Sequence, residues 1–413
     1  MVLASRIKIP WLFAVGGWIL EGGILLRNLR LVGVPGHGNC LEDVLIGVDG
    51  RIGEIGSGLE QPQGCFGHEC AGAFASAGWI DLHCHVYEKV SEFGLNPDLI
   101  GERCGVTTIV DAGSAGEATF EGFKDYVAGS ARTRTLAFLN IGSIGLIKSS
   151  ISEVYDISFI DVPATIRCAE EHPALVCGIK VRASGVIVRD LGIMPLKLGK
   201  KCARVLGLPL LVHIGEPPPV LEEVLVQLDA GDIVTHCFNG KPGGNIFANG
   251  GSLLPEAGAA LDRGVLFDVG HGAASFSFAI GERAMQQGIV PHIISTDLHV
   301  RSRPGVVRDL ATTMSKMLYL GMNLEEIIEA VTSTPARSIG RLELAAVKPG
   351  AKANITLFEV VKESREVFDS LGQPRTLQQV IRPIATVSGT RIASAAKDSM
   401  DPQGLSLQEV FSE

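Results

Sequence analysis

Ala77-Gly78-Trp79-Ile80-Asp81-Leu82-His83-Cys84-His85 is the stretch on which the reading of this 413-residue chain turns. Residues 78–82 read as an apolar strand, and alternate residues of a strand point to one face. The imidazoles that close the run, His83 and His85, are therefore aimed at one spot, as a metal site requires. Cys84 between them faces the other way and reads as a small buried apolar residue. Asp81 shares the histidines' face but lies deeper, which suits a carboxylate that orients a ligand.

Seven more strand-like runs follow, at 107–111, 135–140, 176–181, 210–213, 232–236, 265–269 and 292–297. Helix-like stretches such as 220–228 and 273–287 lie between them. Eight βα repeats over 76–340 predict a (β/α)₈ TIM barrel, whose chemistry gathers at the C-terminal ends of its strands. Residues 23–75 and 341–395 look different: they offer short strands at 24–32, 43–52, 354–360 and 384–389, with an Asp49-Gly50 hairpin signal. These two segments predict a small β-sandwich domain built from both chain ends. Residues 1–22 read as an N-terminal extension and 396–413 as a polar tail.

Composition narrows the function classes. With 46% hydrophobic and 20% charged residues, the chain can bury a large core. A net charge of −9 without a Lys/Arg cluster argues against nucleic acid. Nine cysteines, an odd number with no CxxC pair, suit a reducing cytoplasm. The apolar stretch from Ile9 to Leu20 behind Arg6 and Lys8 imitates a short export signal, so an exported protein is the weaker alternative. The stretch is too short to span a bilayer comfortably, and no membrane association is expected.

The strand ends carry the chemistry. After His83 and His85, the fourth run holds Lys180, the fifth ends in His213, the sixth in His236 and the eighth in Asp297. Imidazole and carboxylate suit Zn²⁺ and similar ions. An ammonium among them would repel a cation, but burial and nearby positive charge favour the neutral amine. That amine can add CO₂ to become a carbamate, an anion able to bridge two cations.

With these residues, the chain resembles the amidohydrolase superfamily of metal-dependent hydrolases, in its branch with a binuclear centre and a carboxylated lysine. The deacetylase-type, dihydroorotase-like members are the closer likeness. It is carried by Gly-Val-Thr-Thr-Ile-Val-Asp-Ala-Gly-Ser-Ala-Gly (105–116), Thr-His-Cys-Phe-Asn-Gly (235–240), Phe-Asp-Val-Gly-His-Gly (267–272) and Ile-Ser-Thr-Asp-Leu-His (294–299). The resemblance implies two divalent ions, Zn²⁺ foremost, with His83, His85 and Asp297 on one and His213 and His236 on the other. The Lys180 carbamate and a hydroxide would bridge them, and Asp297 would carry the proton from nucleophile to leaving group. The implied substrate is a small acylated molecule, with cyclic amides of the dihydroorotase type as the alternative; a homo-oligomer is left open. A barrel that had kept its shape and lost catalysis would have lost ligands, and all six positions are filled here.

Other residues are weighed around this set. Arg182, on the face of Lys180, can grip a substrate carboxylate or close an internal salt bridge. His271, in a Gly-His-Gly loop, can touch substrate or make a structural hydrogen bond. Ser114 and Asn239 are candidates for the pocket lining. Tyr87 stands where dihydroorotases carry a substrate-binding arginine, and Gly113-Ser114 where some deacylases carry a cysteine. His299 reads as a loop residue, and His37, His68, His172 and His292 receive no role.

Overall fold

Seven parallel strands curl around an apolar interior, in the order in which they occur along the chain. The computed structural model describes residues 18, 19 and 22–395, so the Ile9–Leu20 stretch lies almost wholly outside the described residues, as does the tail from 396. The strands are β1 (Trp79–Cys84), β2 (Val106–Gly116), β3 (Arg134–Asn140), β4 (Val176–Ala183), β5 (Leu210–Ile214), β6 (Ile233–Thr235) and β7 (Leu266–Asp268). Their alternating apolar residues, among them Ile80, Val110, Phe138, Leu211 and Ile233, form one buried cluster with Ala336, Ile339 and Leu344. Helices such as Met194–Leu206 and Phe278–Gln286 cover the outer face.

The expected eighth strand differs from the other seven. Residues 292–297 form no ladder; single bridges join Ile293 to Asp268 and Leu298 to Cys84. The polypeptide still closes the barrel, because Val269 N donates to Ile293 O (3.0 Å) and Asp297 N to His83 O (2.6 Å). Between them Thr296 N donates to the Asp81 carboxylate (3.1 Å). A side chain takes the place of a neighbouring strand's carbonyl, so the ladder is interrupted where the barrel needs its last catalytic residue.

Both chain ends build the second sheet, of nine strands, around a core of its own that includes Ile24, Leu26, Val44, Ile355 and Val387. Trp18–Ile19, assigned by sequence to the extension, pairs with Arg391–Ile392 of this sheet. Its longest members, Asn354–Phe368 and Pro374–Ser388, form a hairpin of two 15-residue strands, far longer than the 354–360 and 384–389 runs expected. The sheet abuts the foot of β1, where Gly78 N donates to Asn354 O (2.8 Å). Among the described residues no helix is long and apolar enough to cross a membrane.

Candidate metal centre

The six predicted ligands meet at the C-terminal rim. His85 Nε2 lies 3.1 Å and His83 Nε2 3.4 Å from Asp297 Oδ1. Lys180 Nζ is 3.4 Å from His83 Nε2, and His236 Nε2 is 2.8 Å from His213 Nδ1. Donor atoms of His83, His236 and Asp297 lie within 4.8 Å of one another, close enough to share a cation. Lys180 and His236 are fully buried, and His83 is 1% exposed.

Three of the four imidazoles are held by a second contact at Nδ1. His83 Nδ1 lies 2.9 Å from Thr235 Oγ1 and 3.9 Å from the Asp268 carboxylate, both of which accept, so its proton sits there and Nε2 is left as a bare lone pair facing Lys180 and Asp297. His236 Nδ1 donates to Gly270 O (2.5 Å), so its Nε2 is bare as well. His85 Nδ1 contacts Ser114 Oγ (3.0 Å), and Asp111 fixes that loop by accepting from Ser114 N (2.6 Å) and Val86 N (2.8 Å).

Electrostatics reinforce these assignments. Burial keeps the His83 and His213 imidazoles neutral well below their ordinary range and takes His236 down to about 3. Burial also brings the Lys180 amine down to about 7, Asp297 opposing and Arg182 assisting. Burial alone would raise the Asp297 carboxyl, but His83, His85 and His236 outweigh it and hold Asp297 well below the usual carboxylate range. The backbone contributes too. His236 (φ 72°) and Asp297 (φ 50°) adopt left-handed conformations that cost a residue with a Cβ about 1–2 kcal/mol each. Both are braced: Asn239 Nδ2 donates to His236 O (2.9 Å), and Ser302 Oγ to Asp297 O (3.1 Å).

Two glycines admit these side chains. A Cβ on Gly113 would stand 2.7 Å from Lys180 Cγ, and one on Gly272 2.5 Å from Asp297 Oδ2.

Several sequence expectations change. Arg182 is not free for a substrate carboxylate: its Nε donates to Glu153 Oε1 (2.7 Å) and its Nη2 to Oε2 (2.5 Å), with Glu153 buried. The internal ion pair is the alternative that holds. His271 makes structural contacts: it is fully buried, stacked on Phe276, with Nδ1 on Gly272 O (3.0 Å) and Nε2 2.7 Å from Lys316 Nζ. Burial lowers its imidazole well below the ordinary range, with Lys316 adding to the effect. Asp81 braces Thr296 and the His83 backbone rather than a histidine ring, its carboxyl pushed up to about 7 by burial. Ser114 and Asn239 are fully buried supports, and Tyr87 is buried with its hydroxyl donated to Thr119 O (2.8 Å). His299 lies in a loop, as expected, with its ring 6.4 Å from that of His85 and its Nδ1 accepting from Arg301 N (3.2 Å). Sequence reasoning missed Thr235, Asp268, Asp111 and Glu153. All but Glu153 lie in the motifs quoted above, Thr235 and Asp268 at strand ends and Asp111 within β2; Glu153 lies in a loop that carries no such mark.

A family model described as a deacetylase-like composite domain matches residues 347–392. The chain is 43% identical over 381 residues to a deacetylase of Agrobacterium fabrum, covering 92% of this chain and 93% of that one. It belongs to the deacetylase family of metal-dependent amidohydrolases. A deacetylase of Brucella anthropi is 42% identical over 377 residues, covering 91% and 93%. Among solved structures, one described as a dihydroorotase superposes on this amidohydrolase with a TM-score of 0.86 at 42% identity, covering 92% of this chain and 99% of that one. One described as an adenine deaminase gives 0.84 at 35%, covering 91% and 100%. Membership implies a divalent metal, and the neutral imidazoles and ionised carboxylate at the rim fit one.

Proposed function

We propose that this amidohydrolase removes an acyl group, acetyl foremost, from a small N- or O-acyl substrate. The observation that carries the reading is the convergence of four imidazoles, one ionised carboxylate and one desolvated amine at the rim. Such a set suits two cations of the Zn²⁺ class: His83, His85 and Asp297 would hold one, His213 and His236 the other, with Lys180 as its carbamate between them. When bound, the cations polarise the acyl carbonyl and supply a nucleophile at neutral pH. The chain's own share begins at Lys180, whose amine, near 7, is neutral often enough to attack CO₂; a C–N bond forms and the nitrogen gives up a proton. Asp297, kept ionised, accepts the nucleophile's proton at Oδ2 while Oδ1 stays against the imidazoles, and returns it to the leaving nitrogen or oxygen. Gly272 and the Asp81–Thr296 bracket hold that carboxylate in place.

A dihydroorotase-type cyclic amidase is the second reading, favoured by the solved neighbour at 42% identity. Buried Tyr87 weighs against it, since it offers no cation to a substrate carboxylate. A cytoplasmic location belongs to the proposal, on the unpatterned odd set of nine cysteines. The test pairs metal analysis of purified protein with a screen of N- and O-acetylated amino and hydroxy acids. Lys180→Ala loses turnover and regains part of it with a short carboxylic acid that replaces the carbamate. Full turnover in that variant, or in protein stripped of divalent ions, refutes the reading.

A further inference from the structure

A cavity of about 470 Å³ lies at the foot of the barrel, between its N-terminal face and the nine-stranded sheet. Four cations line it, Arg51, Arg134, Lys348 and Lys352, against one carboxylate, Glu343. That local surplus of positive charge sits on a chain whose net charge is −9. None of the four makes an ion pair within 4.0 Å among the described residues.

The arrangement is built into the backbone. Arg51 and Lys352 are direct partners across an antiparallel bridge, so their side chains share one face. Like charges directly opposite one another destabilise a strand pair. The turn that carries Lys348 and Lys352 is bolted down, with Gly350 N donating to Ile52 O (2.7 Å) and Ala353 N to Gly50 O (2.9 Å). Arg51 Nη1 is oriented by its bond to Gly350 O (2.8 Å). Arg134, the first residue of β3, brings an exposed cation from the barrel itself. The fold thus holds cations from two sheets around one opening and supplies too little negative charge to balance them.

We infer that this cavity binds a small polyanion carrying at least two phosphate or carboxylate groups, as an effector or stabiliser distinct from the substrate. Its volume is of the size that small-molecule sites occupy. Asn140, the register partner of Lys180, lies six positions along β3 from Arg134, about 20 Å along a strand. An anion bound here touches no reacting atom; it joins the two sheets and relieves the repulsion between Arg51 and Lys352.

Calorimetry on the metal-loaded full chain, at constant ionic strength, tests the proposal with fructose 1,6-bisphosphate, tricarballylate and inorganic phosphate. Phosphate-selective and carboxylate-selective ligands are separated by the first two probes. One polyanion binds per chain, about tenfold or more tighter than inorganic phosphate, in keeping with added charge-assisted contacts. The Lys348→Ser/Lys352→Ser double variant loses about tenfold or more of that affinity and keeps the parental kcat/KM. Without anion its Tm is equal to or above the parent's, because a repulsion has been removed. Arg134→Gln weakens the same ligand and provides an independent check. Absence of binding by both polyanions up to roughly 10 mM, a weak affinity by the arithmetic of binding free energy, overturns the inference. So does undiminished binding by the double variant, or competition between the polyanion and substrate, which would place the ligand at the rim.

Discussion

Gly272→Ala probes the site with a single methyl group. Gly272 has φ +55°, and its new Cβ would fall 2.5 Å from Asp297 Oδ2, where ordinary contact begins at 3.4 Å. Adopting the left-handed backbone with a Cβ costs about 1–2 kcal/mol. The rest of the strain falls on Asp297, whose carboxylate must retreat by about 0.9 Å, the gap between those two contact distances. Rotation of a free carboxylate would be cheap. This one is held at Oδ1 by His85 (3.1 Å), and its backbone is tied to His83 O (2.6 Å), so the retreat breaks alignment with the imidazoles. A misplacement of about 1 Å costs roughly 10²-fold in rate. The variant should fold and lose roughly 10²-fold in kcat. Its Tm should fall by a few degrees, as expected for about 1–2 kcal/mol in a chain of this size. Steady-state kinetics on an acetylated substrate, with thermal melting and metal analysis of the same preparation, read all three quantities. A Gly272→Ala enzyme with parental kcat would refute the claim that this glycine is needed to place Asp297.

Thr235→Val removes the hydroxyl that faces His83 Nδ1 and should weaken divalent-metal affinity about 10–100-fold, measured by competition with a chelator; unchanged affinity rejects that role for Thr235. Arg182→Met leaves Glu153 buried and unpaired, at a cost of about 3–5 kcal/mol. It should raise KM equally for acidic and neutral substrates, whereas a selective effect on acidic ones would restore Arg182 as a carboxylate ligand. Metal-free protein should lose stability progressively as pH falls below 6.5. His236 titrates at about 3 in the fold against 6.5 in the unfolded chain, so the unfolded state binds protons first; His83, His213 and His271 act in the same direction and outnumber the raised Asp81 (about 7) and Asp268 (about 6) carboxyls, which act against them. A melting temperature flat between pH 7 and pH 4, the interval that spans the ordinary histidine range, would contradict that linkage.

Strand order, the closed parallel architecture and the six convergent residues were legible because each rests on local pattern: an apolar run that ends in a ligand. The seam was not. Residues 292–297 carry the hydrophobicity of a strand, yet Thr296 N bonds to Asp81, a partner more than two hundred positions away in the chain. The left-handed backbones of His236 and Asp297 were hidden for a related reason, since neither residue is a glycine and tertiary contacts alone hold them there. Arg182 carried two readings until Glu153, from a different loop, decided between them. Buried His271 answers to Lys316, which is contributed by the helix Leu310–Leu320.

The long hairpin of the terminal sheet gives the molecule an unexpected lever. Fifteen extended residues reach about 50 Å. At the far end Ser370 Oγ donates to Gly272 O (2.9 Å), while Asp369 accepts from Phe278 N (3.0 Å). Lys316, below its usual range at about 7 chiefly through burial, donates to Phe368 O (2.8 Å) and meets His271. A ribbon rooted among the chain's two ends thus grips the turn on which the Asp297 carboxylate rests. Truncating the C-terminal strands would therefore loosen the reaction centre from a distance, and an isolated barrel would lack one wall of its own catalytic apparatus.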